Sequence, residues 1–270
     1  MKIGYRFFKK ILNGGIRVSR LLGLSLWKYY MKNNIGIDYD ETRTVWETKA
    51  VHPRFDNPEE YYNYINKTLN FRKTDVVLDI GCGDGTLDSY LPCKVFGIDV
   101  AKAKIEKAKR QNPGGNYLRQ SFLDKFKFAN SRINKVFSFT VFQYCKPEDA
   151  DTLLRNSIEA LDFRHLSEGM VAHLSIPDIE IAWLWYMREF GIKEEDVKKN
   201  IEMVRYAFPE DGSYWHNLED LSNRCERVID SLNIKEFGHK IMITKSESFY
   251  RHNLVIYFWR KEVGKINESV

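Results

Sequence analysis

In "VVLDIGCGDGTLDSYL", Val76 to Leu91, an apolar run closes on Asp79 and Ile80 and then meets Gly81, Gly83 and Gly85. Glycines at that spacing let the backbone turn sharply and come close to a ligand, because no Cβ stands in the way. The next apolar run, "KVFGID", ends in Asp99, twenty residues after Asp79. A carboxylate at the tip of a second strand is placed to accept hydrogen bonds from ribose hydroxyls. Together these residues describe a nucleoside-binding site. Dinucleotide folds use G-x-G-x-x-G at a helix start to seat a pyrophosphate. Here the spacing is G-x-G-x-G and an acid precedes the first glycine, which would repel a pyrophosphate. Acidic surroundings favour a ligand bearing ammonium and sulfonium charge instead.

Those residues need strands to carry them. Strand-like runs fall at 75–80, 94–98, 116–119, 134–139 and 169–176, with helical stretches at about 101–111 and 147–161 between several of them. A helix is expected to start near Thr86, with its amide groups at the glycine turn. Alternating strands and helices imply a parallel sheet covered on both faces. Asn57, Pro58, Glu59 and Glu60 read as cap, first position and acidic first turn of an earlier helix. Residues 179–232 read as a largely helical, aromatic-rich insertion. "KIMITKS" and "NLVIYFWRK" read as two closing strands, the last antiparallel, for seven in all. The expected organisation is an extension and connection over 1–57, the α/β domain over 58–264 and a tail over 265–270.

The chain has 270 residues and a net charge of +5, unevenly spread. Residues 1–34 carry eight basic residues and no acidic one, whereas the remainder carries 34 basic against 37 acidic. The mildly acidic main domain gives no case for nucleic-acid binding. On a helical wheel Phe7, Phe8, Ile11, Leu12, Val18, Leu22, Leu26 and Tyr29 gather opposite the basic residues of 1–34. Such a helix can lie in a membrane interface, pack on its own domain or meet a second copy. No stretch reaches the ~18 apolar residues of a membrane span. The N-terminus lacks the apolar core of a secretory signal, which points to the cytoplasm, with the inner membrane surface in reach. Cys82, Cys93, Cys145 and Cys225 lack metal spacing and read as free thiols, and no metal site is expected.

"VVLDIGCGDG" followed by "VFGIDVAKAKIEKAK" resembles motifs I and II of the class I S-adenosylmethionine-dependent methyltransferases, a likeness over roughly residues 60–177 with a weaker match in the last two strands. The resemblance implies a Rossmann-like sheet and S-adenosylmethionine as cofactor. It places Asp79, Gly81, Cys82, Gly83 and Gly85 on the methionine and ribose, Asp99 on the ribose hydroxyls and Val100 beside the adenine. Thr140, after the fourth strand, joins the cofactor set. Where many relatives carry an acid near the adenine amino group, "RQSFLD" offers Ser121 and Phe122, with Asp124 displaced. The Phe-Asp pair frequent before the fourth strand is replaced by Ile133–Asn134.

Methyl transfer needs an acceptor held in line with the methyl group, and a hydroxyl acceptor also needs a base. "FTVFQYCKP" lacks the Asp/Asn/Ser-Pro-Pro-aromatic signature of DNA amino-methyltransferases and the Pro-Cys of cytosine-C5 enzymes. The absence of an acid there argues against the metal-dependent catechol type. Gln143 and Tyr144 are candidate substrate contacts, Tyr144 also a candidate catalytic residue, and Asp178 a third contact. His173 reads as a packed strand residue. In "EDGSYWHNLEDL", His216 is either a general base beside Trp215 as an aromatic platform, or a neighbour of the helix cap Asn217 over buried Tyr214 and Trp215. "IPD", "GSYWHN" and "YRHNLVI" together resemble methyltransferases of bacterial cell-surface polysaccharide pathways. That likeness implies O-methylation of a small-molecule or glycan acceptor, including a lipid-linked sugar. A lipid or quinone methyltransferase and a non-catalytic cofactor-binding module stand as alternatives.

Overall fold

The computed structural model describes residues 57–126, 128, 131–181, 206–208, 213–246 and 251–261. The basic segment 1–34, most of the connection after it, residues 182–205 and the tail lie outside the described residues. Helix α1 (Pro58–Leu69) starts as its sequence requires: Asn57 accepts the Glu59 N–H at 3.0 Å, Pro58 holds the first position, and Glu59 and Glu60 meet the positive end. It ends at Asn70 in the left-handed conformation, φ 46°. Strands β1 (Val76–Ile80), β2 (Lys94–Asp99), β3 (Asn116–Arg119), β4 (Lys135–Phe139) and β5 (Glu168–Pro177) follow, with α2 (Lys102–Gln111) and α3 (Ala150–Glu159) in two of the crossovers.

After β5 come a 3-10 turn (Ile179–Ile181), a short pair β6 (Tyr206–Phe208) and β7 (Ser213–Tyr214), and α4 (Leu218–Ser231). Strands β8 (Phe237–Lys245) and β9 (Arg251–Arg260) complete a seven-stranded sheet in the order β3-β2-β1-β4-β5-β9-β8. Only β9 runs against its neighbours in that sheet. This is the expected Rossmann-like class I methyltransferase fold. Within the span 179–232, expected to be largely helical, the described residues form the pair β6–β7 and the helix α4, and 182–205 and 209–212 lie outside the described residues.

Alternation along the strands divides the core. Val77, Val95, Phe137, Ala172, Leu174 and Val255 pack with Ile65 and Leu69 of α1. Leu78, Ile98, Val136, Val171, Leu254 and Ile256 pack with α3 and α4 on the opposite face. The phase of β5 slips once, in the irregular pairing between His173 and Ile176, where Ser175 takes φ 63°. That slip is why Leu174 faces one layer and Ile176 the other.

The helix expected from Thr86 does not form. Residues 84–91 make a turn and a single 3-10 turn, Asp88–Tyr90. The Asp84 carboxylate takes the Thr86 N–H at 3.2 Å and the Thr86 hydroxyl at 2.7 Å, a local pattern that competes with helix. Pro92 then bars continuation. Among the described residues no helix is long and apolar enough to cross a membrane.

At the opposite, amino end of the parallel strands, a polar knot joins β1 to β4. Lys135 Nζ lies 2.7 Å from Asp75 Oδ2 and donates to the Asn70 carbonyl at 2.8 Å. Asn134 donates to Asp75 Oδ1 and accepts the Val76 N–H, both at 2.8 Å. Burial alone would raise the Asp75 carboxyl; Lys135, Asn134 and the Arg72 N–H outweigh it and hold it below the usual carboxylate range. Asn134, which breaks the family pattern, is therefore a structural residue. Truncating Lys135 to Ala leaves a buried carboxylate unpaired and is expected to cost about 3 kcal/mol in urea denaturation. An unchanged midpoint would show that the knot contributes nothing.

Candidate active site

The glycine loop leaves β1 under tight backbone control. Gly81, Gly83 and Gly85 adopt φ of 77°, 58° and 73°, a region closed to most side chains. The Gly81 and Cys82 N–H groups both donate to the Ile98 carbonyl, at 2.7 and 3.0 Å, and Gly85 N–H donates to the Cys82 carbonyl at 3.1 Å. Gly83 N–H donates to Asp99 Oδ2 at 3.0 Å, while the other oxygen of Asp99 takes the Ala101 N–H at 2.8 Å. From α2, Asn112 Nδ2 holds the Gly85 carbonyl at 2.7 Å. A Cβ on Gly81 would strike the Val141 side chain and one on Gly85 would strike Ala108, whereas one on Gly83 would meet nothing within 4 Å. So the loop is braced on both flanks and open above Gly83.

This geometry bears on the ligand. Because these four amides are engaged within the protein, the loop lacks the converging N–H groups that cradle a phosphate. It presents open space and acids. Asp79 and Asp88 are buried beneath it, and Asp99 is half-buried beside it. Burial raises the Asp79 carboxyl well above its ordinary range, with the Asp88 and Asp99 charges adding to the effect. Burial likewise pushes Asp88 up to about 6. The Cys82 thiol is raised by burial and by the same acids, so it is an inert neighbour and not a nucleophile. A ligand carrying an ammonium, a sulfonium and a ribose fits open space, acidic surroundings and the Asp99 carboxylate.

The remaining expected cofactor residues follow the carboxyl ends of β2, β3 and β4. Val100 is half-buried, and its carbonyl accepts from Arg119 Nε at 3.1 Å. The Ser121 hydroxyl accepts the Leu123 N–H at 3.1 Å. Phe122 is a core residue, its carbonyl held by Asn156 at 3.2 Å. Thr140 sits at φ 57°, an uncommon conformation for a β-branched residue, just beyond β4. Strain of this kind persists only where the surroundings impose it, and Ser175 shows it on the neighbouring strand.

The expected acceptor residues fare less evenly. Tyr144 ends the 3-10 turn Phe142–Tyr144 after β4 and is half-buried. Gln143, read as a substrate contact, instead faces inward: it is 1% exposed, and its Oε1 accepts from Arg251 at 2.6 Å. Trp215 and Tyr214 are buried, so Trp215 offers no open platform; both fill the core beside α4, whose cap Asn217 accepts the Asp220 N–H at 2.8 Å. His216 is 3% exposed and packs edge-on against Phe142, centroids 5.0 Å apart. Burial lowers its pKa to about 4 and its Nε2 is enclosed with no hydrogen-bond partner among the described residues, which corrects the reading of His216 as a general base. His173 is packed as expected, Nδ1 2.8 Å from the Ser138 hydroxyl.

Asp178 does reach the strand end, in a bridge with His216, and its Oδ2 lies 3.1 Å from His252 Nδ1. His252 and Arg251 stand in the quoted "YRHNLVI" without individual roles there, because they open a strand whose direction brings them to this rim only once β9 is paired to β5. Among the described residues no cluster of His, Cys, Asp and Glu could hold a metal ion, and all four cysteines are free.

The acid pair makes a pH prediction. Because folding raises the Asp88 pKa to about 6, this group favours the folded state at low pH, and its contribution is lost as pH rises through 6. Asp88→Asn is therefore expected to raise the melting temperature by roughly 5 °C at pH 8 and much less at pH 4. Equal shifts at both pH values would remove the acid pair from the account.

Comparison with known proteins follows the geometry. Residues 77–162 match the family model described as a methyltransferase domain. No curated protein sequence matches the chain. Among solved structures, the plantazolicin methyltransferase BpumL in complex with a pentazolic desmethylPZN analog and SAH is similar at a TM-score of 0.52 and 15% identity, over 88% of this chain and 97% of that one. Magnesium protoporphyrin IX methyltransferase (ChlM) from Synechocystis PCC 6803 with bound SAH is similar at a TM-score of 0.48 and 13% identity, over 86% of this chain and 92% of that one. The chain thus has the class I methyltransferase fold and carries a methyltransferase-domain match across its glycine loop.

Proposed function

We propose that the protein transfers a methyl group from S-adenosylmethionine to a hydroxyl of a small-molecule or glycan acceptor. The observation that carries the reading is the braced loop open above Gly83, with the Asp99 carboxylate tied to it. Asp99 and the three glycines would hold the ribose and methionine, with Val100, Ser121, Phe122 and Thr140 around the rest. S-adenosylmethionine supplies an electrophilic methyl on a sulfonium. The chain's own task is to hold an acceptor oxygen in line and accept its proton. Tyr144 and Asp178 are the acceptor-side residues of this reading. We assign the proton to His252, whose Nδ1 lies 3.1 Å from Asp178 Oδ2 and whose side chain is 18% exposed at the rim. In the plantazolicin enzyme the same fold holds an acceptor analog and SAH together, which supports an acceptor site at this rim.

A lipid-linked sugar of surface-polysaccharide assembly is the acceptor we favour, because the basic amphipathic segment 1–34 could bring the domain to the inner membrane surface. A lipid or quinone acceptor would use the same segment.

Calorimetry with S-adenosylmethionine and its demethylated product tests the cofactor site. Wild type is expected to bind both, and Asp99→Ala to bind roughly 10–100-fold more weakly through loss of charge-assisted hydrogen bonds. A folded wild type that binds neither overturns the reading. With radiolabelled cofactor and membrane extract, His252→Ala is expected to transfer label on the order of 100-fold more slowly at unchanged cofactor affinity. Transfer at the wild-type rate would take His252 out of the chemistry.

A further inference from the structure

Arg251 is the largest fully buried side chain among the described residues. Its Nη1 donates at 2.6 Å to Gln143 Oε1 and at 2.6 Å to the Ser175 carbonyl, short distances for charge-assisted bonds. The two acceptors belong to different elements: Gln143 to the 3-10 turn after β4, Ser175 to the slip in β5. Ser175 is itself pinned, its N–H donating to Asn253 Oδ1 at 2.9 Å. Asn253 Oδ1 also accepts the Tyr64 hydroxyl of α1 at 3.0 Å. One polar chain therefore runs from α1 through β9 and β5 to the turn Phe142–Tyr144.

That turn matters because of what lies on its other side. Val141, which leads into it, packs against Gly81 so closely that a Cβ there would collide. The turn is thus wedged between the glycine loop and the Arg251 chain, and it carries Tyr144. Filling this volume with an apolar side chain would avoid the several kcal/mol that burying a guanidinium costs. An apolar side chain could not fix two elements at a set distance. We infer that Arg251 and Gln143 are positioning residues, which set the turn 141–144 against the cofactor loop and so align the acceptor with the methyl group. The inference rests on the methyl-transfer reading above. It gives Gln143 a role opposite to substrate contact: it acts by being held from within.

The test compares full-length wild type with Gln143→Leu and Gln143→Glu, a carboxylate that keeps the bond to Arg251. Gln143→Leu is expected to bind the cofactor within about 3-fold of wild type, because Asp99, the Ile98 carbonyl and Asn112 still brace the loop. Its label transfer to extract at saturating cofactor falls at least about 10-fold. Amide hydrogen exchange of peptides covering 141–146 speeds up, since the Tyr144 and Cys145 N–H bonds to Val141 and Phe142 loosen. Gln143→Glu restores both readouts. Should Gln143→Leu fail to fold, Arg251→Lys, which keeps the charge and loses the planar fork, carries the same expectations.

Wild-type exchange in 141–146, or wild-type transfer by the disrupted variant, overturns the positioning role. So does loss of both readouts in Gln143→Glu as well as in Gln143→Leu, which would point to direct contact of the amide with substrate. A wild type that binds cofactor and labels nothing overturns the methyl-transfer reading, a separate outcome that takes this inference with it.

Discussion

Two backbone N–H groups share the carboxylate of Asp99, one from Gly83 and one from Ala101. That pair of bonds ties the loop after β1 to the end of β2 and to the start of α2. Together with the Ile98 carbonyl and Asn112 it holds three residues at positive φ, where glycine gives up more conformational freedom on ordering than any other residue. The tie also arranges the lone pairs. A carboxylate has about four acceptor positions, and two remain for hydroxyl donors once the backbone is satisfied. The same group therefore shapes the loop and faces the ligand, which explains why an aspartate at the tip of β2 is worth burying among other acids.

Those acids give the two ends of the sheet different characters. At the amino end, Asp75 is fully compensated by Lys135, Asn134 and a backbone N–H. Under the loop, Asp79 and Asp88 sit without a described cation, and their carboxyls are pushed upward instead. The difference follows the division of labour in open α/β sheets, where ligands meet the carboxyl ends of the strands. One end is settled electrostatically by the protein alone. The other keeps buried acids whose carboxyls are pushed upward, with no cation paired to them among the described residues.

Much of the frame was legible in the residues. Strand periodicity, the cap at Asn57 and the glycine–aspartate spacing are local signals, and β1 to β5 fell within a residue or two of where they were expected. Thr86 misled because its helix pattern was read without the competing hydrogen bonds of Asp84 and without the stop at Pro92. The acceptor end was poorly legible for a different reason. Gln143, His216 and Trp215 look like site residues by type, yet their roles depend on which way the chain turns after β4 and before α4. His252 and Arg251 lie in "YRHNLVI", whose loose likeness assigns neither of them a role. Their position comes from the antiparallel pairing of β9, a long-range fact that no window of sequence contains.

The reversed strand has a consequence for how the protein comes into being. The residues that brace the glycine loop, Val141 the last of them, all precede β5, so this half of the rim is present once the first four strands and the turn after β4 have left the ribosome. The acceptor-facing half waits for Arg251, His252 and Asn253, delivered by the final strand of the sheet. A growing chain can thus assemble a binding cleft well before it can assemble a working one. With these residues on β9, which follows the other strands of this sheet in the chain, this part of the rim depends on the pairing of β9 with β5.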